Sequence, residues 1–216
     1  MSEISRIHFI TQDAVPGFSH AELAEQACIG GADWVQLRVK EQPEEVVEAI
    51  AFEVEAVCRN YGAKLIINDF PQVAKRVKAN GVHLGKTDLN PVEARKLLGD
   101  SFIIGGTANS IEDIKLLHEA KVDYIGLGPF RFTSTKKNLS PILGHEGYHA
   151  ILSECKTLGL KIPVIAIGGI LPVDISDILA AGFHGIAISS AVNTAKDKSA
   201  AMKHFIEVMS ELTSVK

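Results

Sequence analysis

No two cysteines form a CxxC pair: Cys28, Cys58 and Cys155 are the only three in 216 residues. Each lies in a stretch patterned as a helix, so neither a zinc site nor a disulfide framework is indicated, and they read as small buried hydrophobes. No apolar run approaches the roughly 18 residues needed to cross a bilayer. The N-terminal MSEISRIHFI lacks a basic segment followed by an apolar signal core, so a soluble, cytoplasmic protein with no membrane partner is expected. Positive charge is not in excess either. A formal net charge of -4 argues against sequence-independent nucleic-acid binding, which needs a basic surface, so any anion site must be local. Also missing is any Pro/Ser-rich linker, charge block or low-complexity tract. With 46% apolar and 22% charged residues, the expectation is one domain over residues 1–216.

What is present is an alternation. IHFIT reads as a strand, followed by a helix from an N-cap at Ser19 to the Gly30-Gly31 stop. DWVQLRV is a second strand, ending in Arg38 and Lys40, and residues 43–60 carry Val46, Val47, Ile50, Val54 and Val57 at helical spacing. KLIIND and a short helix over 71–78 come next, then GVHLG and a helix with Pro91 near its start and a stop at Gly99. SFIIGG closes on Thr107, and Ser110 caps a helix to about Glu119. Residues 122–137, VDYIGLGPFRFTSTKK, form a sixth strand and a long polar loop. A helix over 149–158, the strand IPVIAIGGI, the helix LPVDISDILAAG, the strand GIAISS and a final helix over 195–212 complete the pattern. Eight β-then-α units in one domain predict an α/β protein with the (β/α)8 architecture of a TIM barrel. A doubly wound sheet would place a glycine-rich phosphate loop after an early strand, whereas the first junction here offers Thr11, Gln12 and Asp13.

In a barrel, every strand opens its C-terminal end on one face, so distant residues converge there. Gln36, Arg38 and Lys40 alternate along QLRVK and are expected on one side of the second strand. Arg38, a cation inside an apolar stretch, needs an anion, which either a ligand or a structural salt bridge supplies. Asp69 and Asp88 each precede a helix, where an N-cap role is open to them. Flanked by Arg38, Lys40 and Lys136, the two carboxylates are also suited to share one Mg2+. Thr133, Ser134, Thr135 and Lys136 supply hydroxyls and charge for an anion. Gly168, Gly169, Ser189 and Ser190 follow the seventh and eighth strands, where barrels commonly bind phosphate. HEGYH, residues 145–149, matches the zinc pattern HExxH, but Gly144 and Gly147 argue against a helix before His149, and the match is read as chance. Trp34, Phe130 and Phe132 are expected in the core or a pocket wall.

QLRVK, ND after the third strand, GVHLGKTD, DYIGLGPFRFTSTKK, IGGI and the final SS occur in an order and spacing that resemble the thiamine phosphate synthase family over nearly the whole chain. The resemblance implies an enzyme that joins a hydroxymethylpyrimidine diphosphate to a thiazole phosphate, releasing pyrophosphate. It further implies that Gln36, Leu37, Arg38, Val39, Lys40, Asn68, Thr107 and Lys136 hold the pyrimidine diphosphate, with Arg38 and Lys136 serving catalysis. Asp69 and Asp88 would bind Mg2+, and Thr133, Ser134, Thr135, Gly169, Ser189 and Ser190 the thiazole phosphate. Thr107 stands where the family usually has Ser, and Phe70 and Lys86 replace a common Arg and Gln, with Lys86 a substitute phosphate contact. No nucleophile with a poised base is seen, so positioning and charge neutralisation would carry the reaction. Partners are small molecules, and oligomeric state is left open. Two alternatives share the phosphate cup: a thiazole tautomerase, which needs no metal, and a non-catalytic binder of a phosphorylated metabolite.

Overall fold

Buried strand side chains divide by parity into two groups, which is what a parallel sheet closed on itself demands. The computed structural model describes residues 3–132 and 140–214. Its strands are β1 (Ile7–Ile10), β2 (Trp34–Leu37), β3 (Lys64–Asn68), β4 (Gly81–Leu84), β5 (Ile103–Ala108), β6 (Tyr124–Leu127), β7 (Val164–Ile167) and β8 (Gly185–Ile188). They pair in parallel in chain order, and β8 returns to β1 with Ile186 beside Ile7, closing the barrel. Ile10, Trp34, Ile66, Ile103, Tyr124, Ile165 and Ala187 pack together inside it, with Ile4 joining them. Their neighbours along the strands, among them Phe9, Val35, Ile67, Val82, Ile104, Ile125 and Ile186, pack in the larger cluster with the helices. The expected (β/α)8 barrel is the fold.

The surrounding helices are α1 (His20–Ile29), α2 (Glu44–Tyr61), α3 (Pro71–Arg76), α4 (Pro91–Leu98), α5 (Ile111–Glu119), α6 (Gly144–Thr157), α7 (Ile175–Ala180), α8 (Ser190–Asn193) and α9 (Lys198–Thr213). Local chemistry explains several starts. Ser19 with Glu22, and Ser110 with Asp113, form reciprocal capping boxes for α1 and α5. Asn90 accepts from the Val92 amide, and Pro91 takes the first turn of α4, where its missing N–H costs nothing.

Four local expectations are corrected. β2 ends at Leu37, so Arg38 and Lys40 stand on the loop beyond it. Their amides leave the ladder because Thr11 Oγ1 and Asp13 Oδ2, from the loop after β1, accept from them at 3.1 and 3.3 Å. β5 runs one residue past Thr107, to Ala108. β8 stops at Ile188, a short α8 starts at Ser190, and α9 begins at Lys198. Finally, α6 begins at Gly144 and includes all of HEGYH. The Leu143 and Gly144 amides donate to Pro129 and Phe130 carbonyls, and buried Tyr148 donates to the Leu127 carbonyl at 2.9 Å. These tertiary anchors outweigh the poor helix propensity of two glycines.

Candidate active site

Period-two geometry carries one side chain per strand end onto the barrel's C-terminal rim. From the first corner, the Thr11 hydroxyl accepts from the Arg38 amide and lies 2.8 Å from His20 Nδ1. Arg38 itself is half-buried. Burial pulls its pKa down while Asp13 and Asp69 push it back up, and no carboxylate among the described residues lies within ion-pair distance of its guanidinium. A cation so placed is set to receive an anion.

Next along the rim, Gln36 Nε2 donates to Asn68 Oδ1 at 2.9 Å. This leaves Asn68 Nδ2 buried with no hydrogen-bond partner among the described residues. Lys40 Nζ contacts Asp69 Oδ2. Burial, helped by a hydrogen bond with Asp88, raises the Asp69 carboxyl to about 6 in spite of that ammonium. Asp88 Oδ2 accepts from the Gly85 amide at 2.7 Å. Neither aspartate caps a helix: the N-cap of α3 is Phe70, with no side-chain bond, and that of α4 is Asn90. Two touching carboxylates, one of them reluctant to ionise, form a donor set that a hard divalent cation would complete with waters and phosphate oxygens.

On the far side, Thr107 Oγ1 is 3.0 Å from His83 Nε2. Lys86 is turned to α5, where its Nζ lies 2.6 Å from Asp113 Oδ2. Arg131 reaches across the loop after β6, donating to the Gly169 carbonyl at 2.6 Å and to both oxygens of buried Asp174. Gly168 and Gly169 have φ of 104° and 68°, the left-handed region that glycine enters freely. Asn193 Nδ2 ties Ser189 Oγ at 3.1 Å to the Ile10 carbonyl at 2.8 Å, fixing the end of β8 against β1.

A family model described as thiamine monophosphate synthase matches residues 7–192. A thiamine-phosphate synthase of Bacteroides fragilis is 48% identical over 94% of this chain and 98% of its own length. One from Bacteroides thetaiotaomicron is 46% identical over 94% and 96%. The solved structure of thiamine phosphate pyrophosphorylase from Pyrococcus furiosus superposes with a TM-score of 0.84 at 29% identity, covering 96% of each chain. The chain belongs to the thiamine monophosphate synthase family. It is an enzyme, a transferase of thiamine biosynthesis on a TIM barrel.

For a thiamine monophosphate synthase, the structure brings Gln36, Arg38, Lys40, Asn68, Asp69 and Asp88 together on one arc of the rim, with Leu37 and Val39 turned into the core. Thr107 follows on the next strands, and Gly169, Ser189 and Ser190 lie at the ends of β7 and β8. Thr133, Ser134, Thr135 and Lys136 fall outside the described residues. Phe130 is buried but Phe132 is 72% exposed, so only the first fits a wall. His145 and His149 share α6, so the helix that Gly144 and Gly147 were expected to prevent is present, and no group of three metal-ligating side chains is found among the described residues. Thr11, Asp13, His83 and Asp174, the buttresses behind the site, carry no sequence motif of their own, and Arg131, one of the cations after β6, is spent on Asp174. A polar side chain within an apolar strand, as in GVHLG, was the available signal for His83.

Proposed function

We propose that this rim condenses 4-amino-2-methyl-5-hydroxymethylpyrimidine diphosphate with thiazole phosphate to give thiamine phosphate and pyrophosphate. In this reading Gln36 and Asn68 orient the pyrimidine, the free Asn68 amide supplying a donor. Arg38, Lys40, Thr107 and Lys136 receive the diphosphate. Gly169, Ser189 and Ser190, with Thr133, Ser134 and Thr135, cup the thiazole phosphate. Asp69 and Asp88 would hold Mg2+, which when bound supplies charge neutralisation at the departing diphosphate.

As the C–O bond to the diphosphate breaks, its electron pair leaves with pyrophosphate, and Arg38, Lys40 and Lys136 offset the charge that builds there. The electron-rich aminopyrimidine carries the cation left behind, and the thiazole nitrogen closes the new C–N bond. The residues hold the two rings for that encounter, so no covalent enzyme intermediate is needed.

The observation that carries the reading is the ion pair of Asp69 with Lys40, with Asp88 beside it raising the Asp69 pKa, next to an Arg38 guanidinium that has no ion-pair partner among the described residues. The test is an assay of the purified protein with both heterocycles and Mg2+, with and without EDTA. Thiamine phosphate that forms only with metal is the expected result. Activity on the thiazole alone that survives EDTA would instead mark a tautomerase, and ligand binding without product would mark a sensor.

A further inference from the structure

Beneath the rim, the interior of the barrel holds polar rings that the reaction as described does not use. Tyr124 points inward from β6 into room left by Gly105 on β5, where an added Cβ would lie 2.2 Å from its ring. Its hydroxyl is 3.0 Å from Nδ1 of His83, a residue only 8% exposed, and His83 Nε2 is 3.0 Å from Thr107 Oγ1. His8, stacked on Trp34 at 4.2 Å, meets Tyr124 edge-on at 4.9 Å. Three strands thus contribute one chain of hydrogen bonds that starts in the sealed interior and ends at a rim hydroxyl.

The direction of that chain follows from its buried end. Burial raises the Tyr124 pKa, so the hydroxyl keeps its proton, and His83 is its one hydrogen-bond partner among the described residues. If the phenol accepted from His83, its own proton would point into the sealed interior, where no other group among the described residues accepts from it. The phenol therefore donates to Nδ1. In a neutral ring the proton then sits on Nε2, which donates to Thr107 Oγ1. With one lone pair of Thr107 taken by that bond, its own hydroxyl proton has no place on His83 and turns toward the rim.

We propose that Tyr124 and His83 are positioning residues for the diphosphate: Tyr124 fixes His83 as the Nε2–H tautomer, and that tautomer makes Thr107 present a donor to a phosphate oxygen. The opposite polarity would have Thr107 spend its proton on His83 and turn only lone pairs to an anion. The inference rests on the reading that Thr107 meets the diphosphate, and it adds a reason for a hydroxyl at this position: an oxygen that accepts from below and donates above.

Two measurements on the full chain test it. Nitrogen NMR of protein labelled at histidine should show His83 with a protonated Nε2 and a bare Nδ1, a state that Tyr124→Phe loosens into a mixture. A proton on Nδ1 in the wild type overturns the relay whatever the kinetics show. In steady-state assays, Tyr124→Phe, which keeps the ring, should lower kcat/KM for the pyrimidine diphosphate about tenfold, as expected for one weakened bond to a charged group. KM for the thiazole phosphate should stay within about twofold. In a Thr107→Val background, Tyr124→Phe should cost nothing further, and His83→Gln should retain activity that His83→Leu loses. Additive losses, or equal effects on both substrates in variants with wild-type circular dichroism, would make the cluster mere packing and overturn the proposal. If the tautomer is as stated but Thr107→Val uses the diphosphate as wild type does, the assignment of Thr107 fails, and the proposal with it.

Discussion

Arg131 grips Asp174 with both terminal nitrogens, Nη1 to Oδ2 and Nη2 to Oδ1, each at 2.7 Å. The fork joins the loop after β6 to the loop after β7, and a third bond from Nη1 fixes the Gly169 carbonyl. A bidentate pair of this kind sets geometry as well as energy. Removing the arginine leaves a buried carboxylate with only the Leu171 amide, among the described residues, to accept from. Arg131→Met should therefore cost about 2–3 kcal/mol, less than a fully buried pair would, because the arginine is 38% exposed. Urea denaturation followed by circular dichroism reads this directly.

The same pair has a pH signature. Burial pushes the Asp174 carboxyl up, but Arg131, the Leu171 amide and the nearby His145 outweigh it, and its pKa falls below the ordinary 3.8. A carboxyl depressed on folding stabilises fully above its unfolded pKa and loses that contribution as the pH falls through the folded value. Wild type and Arg131→Met should thus differ most near neutral pH and converge under acid. A gap that widens below pH 4 would contradict the assignment.

Gly169→Ala tests the cup at the end of β7. At φ 68° an added Cβ is strained, and it would sit 2.5 Å from Arg131 Cγ, which the Asp174 fork holds in place. Left-handed strain of about 1–2 kcal/mol plus that collision predicts a rise of about tenfold or more in KM for the thiazole phosphate. KM for the pyrimidine diphosphate should move less than about twofold. The two constants, measured separately, check the division of the rim.

HEGYH supplies the opposite prediction. His149 is exposed on α6, and no hydrogen bond or ion pair engages its side chain among the described residues. His149→Ala should leave turnover within about twofold and stability within about 0.5 kcal/mol. A large loss restored by added zinc would mean that the motif is functional after all.

The order of strands and helices was legible because each unit carries its own punctuation: Ser19 and Ser110 at caps, Pro91 in a first turn, Gly99 at the stop of α4. The rim residues up to Asp88 were legible because they end strands or follow closely after them. What escaped depends on partners distant in sequence. Arg131 and Asp174 lie 43 positions apart, and Thr11 draws the Arg38 amide out of β2 from 27 positions away. The start of α6 was misread because Tyr148 and the Pro129 and Phe130 carbonyls, not local propensity, hold that turn. Lys86 pairs with Asp113 on α5, another partner distant in sequence.

Asp69 and Asp88 are proposed to act as a pair at the departing diphosphate. Steady-state turnover of Asp69→Asn and Asp88→Asn with both heterocycles at saturating Mg2+ tests it most directly. For each, kcat should fall about a hundredfold or more, with the fold intact by circular dichroism. Wild-type turnover in either variant would contradict it.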